Sequence, residues 1–357
     1  MSLGAADVLG GQIVDGYVVT RAGNGDPELA AMPRFQVREA SHPVPDQSSL
    51  AAGEGLLRYA AGLPRGAQVL GLISGGASSL VEAPAAGVDA AQLEKINVWL
   101  LGSGLDIFGM NAVRRRLSRL KDGGLASALS GRPVLALYLS DVQGDDPGWI
   151  GSGLFQQVET DLPADLPSWL RELLGKIPRP PTTDVTVEHR IVGNLARALD
   201  ACGEQARRLG YTVTRHTKWL NGPVGQAALR LLTELDAGPP GIHLWGGETT
   251  VRLPLSPGRG GRSQHLALSC AMDISGRDDV VLVCAASDGI DGNGEDAGAI
   301  VDGGTIQRGR DGGADPAACL AGADSGTFLE AAGDLLFTGP TGTNVNDLVI
   351  GFRRGSG

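Results

Sequence analysis

Short apolar runs that alternate with helix-period stretches, each run closing on glycine, constrain this chain more than any other feature. In the first half the strand-like runs are "GYVVTR", "QVLGLIS" and "PVLALYLSDV". Between them lie "SSLAAGEGLLRYAAGL" and "AAQLEKINVWLLGSG", whose apolar residues are spaced as in helices. This rhythm reads as parallel strands joined by crossover helices, so the expected fold class is α/β. The second half continues with a helix over "NLARALDACGEQARRLG", then "IHLWGGETTVRLPL", a helix over "RSQHLALSCAMDI", "DVVLVCAASDG", a helix near "SGTFLEAAG", and "LVIGF". The 55 glycines bunch where strand-like runs stop, and strand ends are where α/β proteins bind ligands.

A chain of 357 residues exceeds the usual size of a single core, so two domains are expected. The run "DAGPPG" at 236–241 is the best candidate for the break, giving domains 1–237 and 238–357. The proline-rich "KIPRPPTTD" at 176–184 reads as an extended loop. Hydrophobic residues make up 42% and charged residues 20%, with no stretch long and apolar enough to cross a bilayer. The start, "MSLGAADVLGGQ", has no basic segment followed by an apolar core, which points to the cytoplasm. Four scattered cysteines and five histidines show none of the spacings of a disulfide frame or a zinc site. A formal charge of −10 with no long basic run argues against nucleic acid as a partner. It does not exclude a phosphorylated ligand, because a few local arginines or amides can outweigh the global sign.

The glycine turns divide by chemistry. In "ISGGASSL" a strand ends at Ser74, Gly75 and Gly76 permit unusual backbone angles, and Ser78 or Ser79 could open a helix. Such a turn is either an anion nest of outward N–H groups or a capped strand-to-helix turn. It fails the G-x-S-x-G elbow of hydrolases at the last glycine. In "LYLSDVQGDDPGWIGSG" the carboxylates of Asp141, Asp145 and Asp146 follow a strand and could hold a hard cation such as magnesium, or serve as turn and cap residues.

"WGGETTVRLPLSPGRGGRSQ" places Glu248 and Thr249 after a glycine pair, then Arg259 and Arg262 among glycines, as planar forks for an anion or as solvated loop residues. "ASDGIDGNGEDAGAIVD" holds the G-x-G-x-x-A spacing at Gly292, Gly294 and Ala297, but Glu295 and Asp296 inside it would repel a pyrophosphate. It is rejected as a cofactor loop, and Asp288 and Asp291 read as polar groups at a strand end. "LLFTGPTGTNVNDLVI" lacks the G-K-[ST] of a Walker motif, yet Thr338, Thr341, Thr343 and Asn344 offer donors between two apolar strands.

Taken in order, the blocks "SHPVPDQSS", "LISGGASSLVEAPAAGV", "LLGSGLDIFGMNAVRRRLSRLKDGGLA", "SDVQGDDPGWIGSG", "GGETTV", "GRGGRSQHLAL", "SDGIDGNGEDAGAIVD" and "GDLLFTGPTGTNVNDL" resemble the glycerate 2-kinase family, whose carboxyl-terminal half is called the MOFRL domain. The resemblance implies a Rossmann-like parallel-sheet amino-terminal domain and a smaller mixed α/β carboxyl-terminal one. It implies ATP- and magnesium-dependent phosphorylation of D-glycerate at its 2-hydroxyl in a cleft between them. On that basis the Ser74–Ser79 turn and the "TGPTGTN" loop bind anionic groups of ATP or glycerate. Asp141, Asp145 and Asp146 place the metal, Arg262 faces the transferred phosphoryl, and Asp288 is a candidate base.

The family pattern also begins with a strand and a G-x-G-K-A turn, and this chain starts downstream of it. Of its four lysines, Lys95, Lys121, Lys176 and Lys218, only Lys121 falls in a matching block. Ala77 stands where the family has a third glycine, at a position expected to need positive φ. Two other readings remain: an NAD(P)H-dependent hydroxypyruvate reductase, a label common in the family, and a ligand-binding homologue without the lysine turn. A strand edge left open at the amino terminus would favour a homodimer that covers it.

Overall fold

The computed structural model describes residues 1–105, 107–178 and 185–355. It divides into two compact units, one of residues 1–138 and 144–192, the other of residues 139–143 and 193–357. Most of the "KIPRPPTTD" run lies outside the described residues. Among the described residues, no helix is long and apolar enough to cross a membrane.

The first unit contains α1 (Ser2–Leu9), β1 (Gly16–Arg21), α2 (Pro27–Ala31), β2 (Phe35–Ala40), α3 (Gln47–Gly62), β3 (Val69–Ile73), α4 (Ala77–Leu80), α5 (Ala90–Gly102), α6 (Ile107–Arg116), α7 (Gly124–Ala128), β4 (Val134–Leu139), α8 (Ser168–Lys176) and β5 (Val187–Gly193). Its strands form two groups, the parallel pair β1–β2 and the sheet β3–β4–β5, in which β3 and β4 run parallel. Helix starts are written locally. Asp46 accepts the Ser48 N–H (2.8 Å) ahead of α3, and Asp89 and Gln92 exchange bonds ahead of α5 (2.7 and 3.0 Å). Ile96, Leu100, Val113, Leu117, Leu170 and Leu174 bury the apolar faces of α5, α6 and α8 in one cluster.

The second unit contains α9 (Leu195–Arg208), β6 (Val213–Arg215), β7 (Leu220–Pro223), α10 (Val224–Ala237), β8 (Gly241–Thr250), α11 (Arg262–Asp273), β9 (Val280–Ala286), β10 (Gly298–Asp302), α12 (Thr305–Asp311), α13 (Pro316–Ala321), α14 (Ser325–Ala332), β11 (Leu335–Leu336) and β12 (Asp347–Arg353). Its mixed sheet runs β11-β10-β9-β12-β8-β6, with β7 also pairing β8. Trp245, Phe328, Leu231, Leu235, Leu282 and Val349 lie in its main core.

By packing, the chain divides upstream of the expected break at 237/238. Residues 193–237 supply α9, β6, β7 and α10 to the same sheet and core as the residues beyond them, so the unit reaches well upstream of 238. "DAGPPG" is a tight α10–β8 connection. The Gly238 N–H donates to the Glu234 carbonyl (3.1 Å), Arg353 donates to the Gly238 carbonyl, and His243 bonds the Pro239 carbonyl through Nε2 (2.8 Å). His243 is itself stacked with His216 and Trp245, and the Trp245 indole donates to Glu234 of α10 (2.7 Å). A run of Pro and Gly marks a turn, and tertiary contacts decide whether that turn joins domains or neighbouring elements.

Candidate active site

Sheet register gathers the carboxylates of the second unit. Asp347 opens β12 and pairs with Gly247 of β8 and with Ala286 of β9, so Glu248 and the loop after Ala286 lie at the same end of the sheet. The helix α11 starts there with Arg262 as its first residue. Its N-cap position is Gly261, which has no side chain to accept the free N–H groups of the first turn. Asp291 supplies the cap from another loop, accepting the N–H groups of Ser263 (3.1 Å) and Gln264 (2.7 Å).

Arg262 reaches two carboxylates on adjacent strands. Nη1 donates to Glu248, and Nε stands 3.6 Å from the Asp347 carboxylate. Among the described residues, Nη2 makes no hydrogen bond. Desolvation lowers the arginine's pKa, but Asp347, Glu248 and Asp291 together outweigh it and hold the guanidinium more firmly charged. The acids respond the opposite way: burial pushes Asp347 up to about 7, with Asp291, Glu248 and Asp288 adding repulsion against the pull of Arg262. Burial likewise pushes Asp291 up to about 6, despite its two backbone donors.

Both acids therefore hold protons in the fold that the unfolded chain releases near pH 4. Stability is then greatest in mild acid and falls as pH rises through these folded values. Urea midpoints are expected to drop between about pH 5 and pH 8, and a midpoint that rises across that range would contradict the assignment.

The two arginines read as candidate anion-binding forks have separate partners. Arg259 bonds Asp296 (2.7 Å) and Glu330 (2.7 Å), and Asp296 is fully buried, so Arg259 serves the structure. Its loop interlocks with the 289–296 loop, because the Gly260 N–H donates to Asn293 Oδ1 (2.9 Å) and the Asn293 amide donates to the Gly258 carbonyl (3.1 Å). Gly292 sits at φ +73°, and a Cβ there would overlap the Gly260 carbonyl. A Gly292→Ala substitution is expected to cost about 2 kcal/mol or more, seen as a lowered Tm. The run through Gly292, Gly294 and Ala297 leads into strand β10, antiparallel to β9, where a dinucleotide fingerprint would open a helix.

The 338–344 loop is exposed, but part of its donor set is turned inward. Thr338 Oγ1 donates to the Gly339 carbonyl (2.9 Å), and Thr341 Oγ1 donates to the Ser287 carbonyl (2.6 Å). The Thr341 N–H donates to the Asp288 carbonyl (3.0 Å), pinning this loop to the one after β9. Among the described residues, the hydroxyl of Thr343 and the amide nitrogen of Asn344 have no partner, and they remain the groups able to meet a ligand. Thr249 is buried, whereas Glu248 is half-exposed at Arg262. Asp288 accepts the Ile290 N–H at Oδ1 (3.1 Å), and its second carboxylate oxygen makes no hydrogen bond among the described residues.

In the first unit the turn after β3 has Gly76 at φ +77°, and Ala77, with no positive φ, begins α4. The third glycine is therefore not required here. Ser79 does not open the helix: its hydroxyl donates back to the Gly76 carbonyl (2.9 Å). The N–H groups of Gly75 and Gly76 have no acceptor among the described residues, while Ser74 is exposed and Ser78 half-buried. A helix of four residues has little dipole, so an anion at this turn would be met by these amides and not by a helix terminus. His42 lines the turn, since a Cβ on Gly76 would lie 2.7 Å from its Nε2. Burial lowers the His42 pKa, and Arg21 lowers it further.

The three aspartates expected at a metal divide between the units, with Asp141 in the second and Asp145 and Asp146 in the first. Asp146 caps its own turn through the Gly148 N–H (2.8 Å), and Asp145 takes a positive φ of 56°. Among the described residues, no group of three or more His, Cys, Asp or Glu side chains is placed to hold a metal ion. Asp141 is half-buried, its carboxyl raised by desolvation and by Glu248, and its backbone carbonyl accepts the Asn346 amide (2.6 Å).

The residue pattern alone does not single out Asp347, His42 or the capping role of Asp291. Asp347 and His42 lie inside recognisable blocks, but burial and register, which make them notable, have no local signal.

Two family patterns match the chain: residues 1–166 match a domain described as "Domain of unknown function (DUF4147)", and residues 241–347 match the MOFRL family. The chain is 35% identical to a D-glycerate 2-kinase of Thermotoga maritima, over 98% of its own length and 87% of that protein's. It is 37% identical to a putative hydroxypyruvate reductase of Agrobacterium vitis, over 94% of its length and 80% of the other's. A crystal structure of glycerate kinase from T. maritima superposes with a TM-score of 0.85 at 34% identity, covering 98% of this chain and 87% of that one. The chain belongs to the glycerate 2-kinase family, and hydroxypyruvate reductase is a label carried by some of its relatives.

Proposed function

We propose that this protein transfers the terminal phosphoryl group of ATP to the 2-hydroxyl of D-glycerate, giving 2-phosphoglycerate. The observation that carries the reading is Arg262, held between Glu248 and Asp347 with Nη2 left for a ligand. Phosphoryl transfer needs charge neutralisation and positioning more than a nucleophile, and an arginine fork supplies both. Thr343 and Asn344 offer neutral donors to the same ligands, and the amides of Gly75 and Gly76 are the anion-binding groups of the first unit. Asp288 is the candidate acceptor of the hydroxyl proton, a reading supported by its one carboxylate oxygen without a hydrogen bond among the described residues.

Magnesium fits the donor set at Asp141, where the nearby Glu248 charge adds to the desolvation cost of ionising a half-buried carboxyl and a divalent cation would relieve it. Magnesium takes one or two carboxylates and keeps several waters, so no protein cage is required. Bound there, it would neutralise phosphate oxygens during transfer. Asp145 and Asp146 enter this reading only as the acids that follow Asp141 along the chain.

The test is to incubate the purified chain with Mg-ATP and D-glycerate and to follow ADP. Release that depends on D-glycerate is expected, and none above background would remove the kinase reading. Oxidation of NADH with hydroxypyruvate would favour the reductase instead.

A further inference from the structure

The grip on Arg262 is unequal. Glu248 is half-exposed, and an ion pair open to water holds a long side chain weakly. Asp347 is only 8% exposed and is fixed by pairing on both sides, to β8 and to β9. It approaches Nε, the guanidinium nitrogen nearest the side-chain stem, at 3.6 Å, so it constrains the direction in which the fork emerges. Glu248 alone would leave the guanidinium several rotamers, and the cost of selecting one would fall on the transfer step.

We propose that Asp347 is the positioning residue for Arg262, a buried carboxylate that aims the guanidinium at the ligand without touching the ligand itself. This inference rests on the kinase reading and adds to it the element that makes the arginine effective. The charged groups facing Asp347 are Arg262 from α11, Glu248 from β8, and Asp288 and Asp291 from the loop after β9. The segment bearing Asp141 is tied to its neighbour Asn346. Burial, with these acids adding to it, keeps Asp347 partly protonated near neutrality. Protonation releases Nε, so the same carboxylate sets the acid limb of activity.

The experiment measures kcat and KM for D-glycerate against pH in the wild type, Asp347→Asn, Asp347→Glu, Arg262→Gln and the double variant Asp347→Asn/Arg262→Gln. Asp347→Asn is expected to lower kcat by about 10²-fold, to change KM little, and to lose the acid limb. Asp347→Glu, which restores the charge, is expected to recover part of kcat together with that limb. In the Arg262→Gln background the Asn substitution is expected to have no further effect, because its target is gone. An equal loss in that background would show that Asp347 acts independently of Arg262 and would overturn the inference. So would an unchanged kcat in Asp347→Asn. Should Asp347→Asn not fold, the charge-preserving Glu variant decides alone: an acid limb and kcat identical to wild type would overturn the inference, and a lowered kcat with the limb kept is the expected result. A wild type that makes no ADP overturns both readings, whereas an active wild type with additive variants overturns this one only.

Discussion

Arg262→Gln is expected to reduce D-glycerate-dependent ADP release by about 10³-fold, with the fold intact by circular dichroism. Glutamine keeps much of the length and one donor group, so the loss measures charge and fork geometry more than packing. The side chain is 41% exposed, and its removal opens no large cavity. It does leave Glu248 and Asp347 facing each other without a cation, which raises the cost of ionising Asp347 still further. The variant should therefore show its activity loss together with a steeper decline of stability toward alkaline pH. The same change at Arg259 is expected to appear first as lost stability, because it strands the buried Asp296 carboxylate. A loss of less than tenfold at Arg262 would mean that the transferred charge is met elsewhere.

Lys121→Met is expected to destabilise the first unit by about 3–5 kcal/mol, read from urea unfolding. Lys121 and Glu82 form an ion pair whose side chains are 3% and 6% exposed. Glu82 also accepts the Ala83 N–H (3.0 Å), and its own N–H reaches the Ser49 carbonyl of α3 (3.2 Å). Methionine matches the shape of the lysine stem but leaves that carboxylate buried and unpaired. Arg114, which senses Glu82 electrostatically, offsets part of the loss, so the lower end of the range is favoured. Adding Glu82→Leu to the same chain is expected to recover most of the stability, since an apolar pair replaces the ionic one. No recovery in the double variant would show that shape, not charge, is what Lys121 provides.

Strands and helices with a strong period are legible in the residues themselves. "GYVVTR" is β1, "QVLGLIS" contains β3, "RSQHLALSCAMDI" covers α11, and "DVVLVCAASDG" contains β9. Strand β10 is hidden because "GAIVD" sits in a run of glycines and acids that looks like loop. The boundary near 193 gives no sign, since it falls at the end of strand β5 without any change of composition. At the site, the residue types that bind anions are legible and their commitments are not. Arg259 and Arg262 share one glycine-rich context, but the buried Asp296 claims the first while the second stands between two strands. Asp347 looks like the first residue of an apolar strand, and only its pairing with Gly247 and Ala286 brings it to the arginine.

The borrowed cap on α11 has a consequence for assembly. A helix that carries its own cap can begin to form as soon as its residues are free, but this one depends on a carboxylate nearly thirty positions downstream. The first turn, and Arg262 with it, therefore takes its final form only after the loop that follows β9 has closed over it. A partly folded unit would not display the arginine in working geometry. The amides of Ser263 and Gln264 should accordingly exchange with solvent at the pace of that distant loop, not at the pace of the helix they belong to.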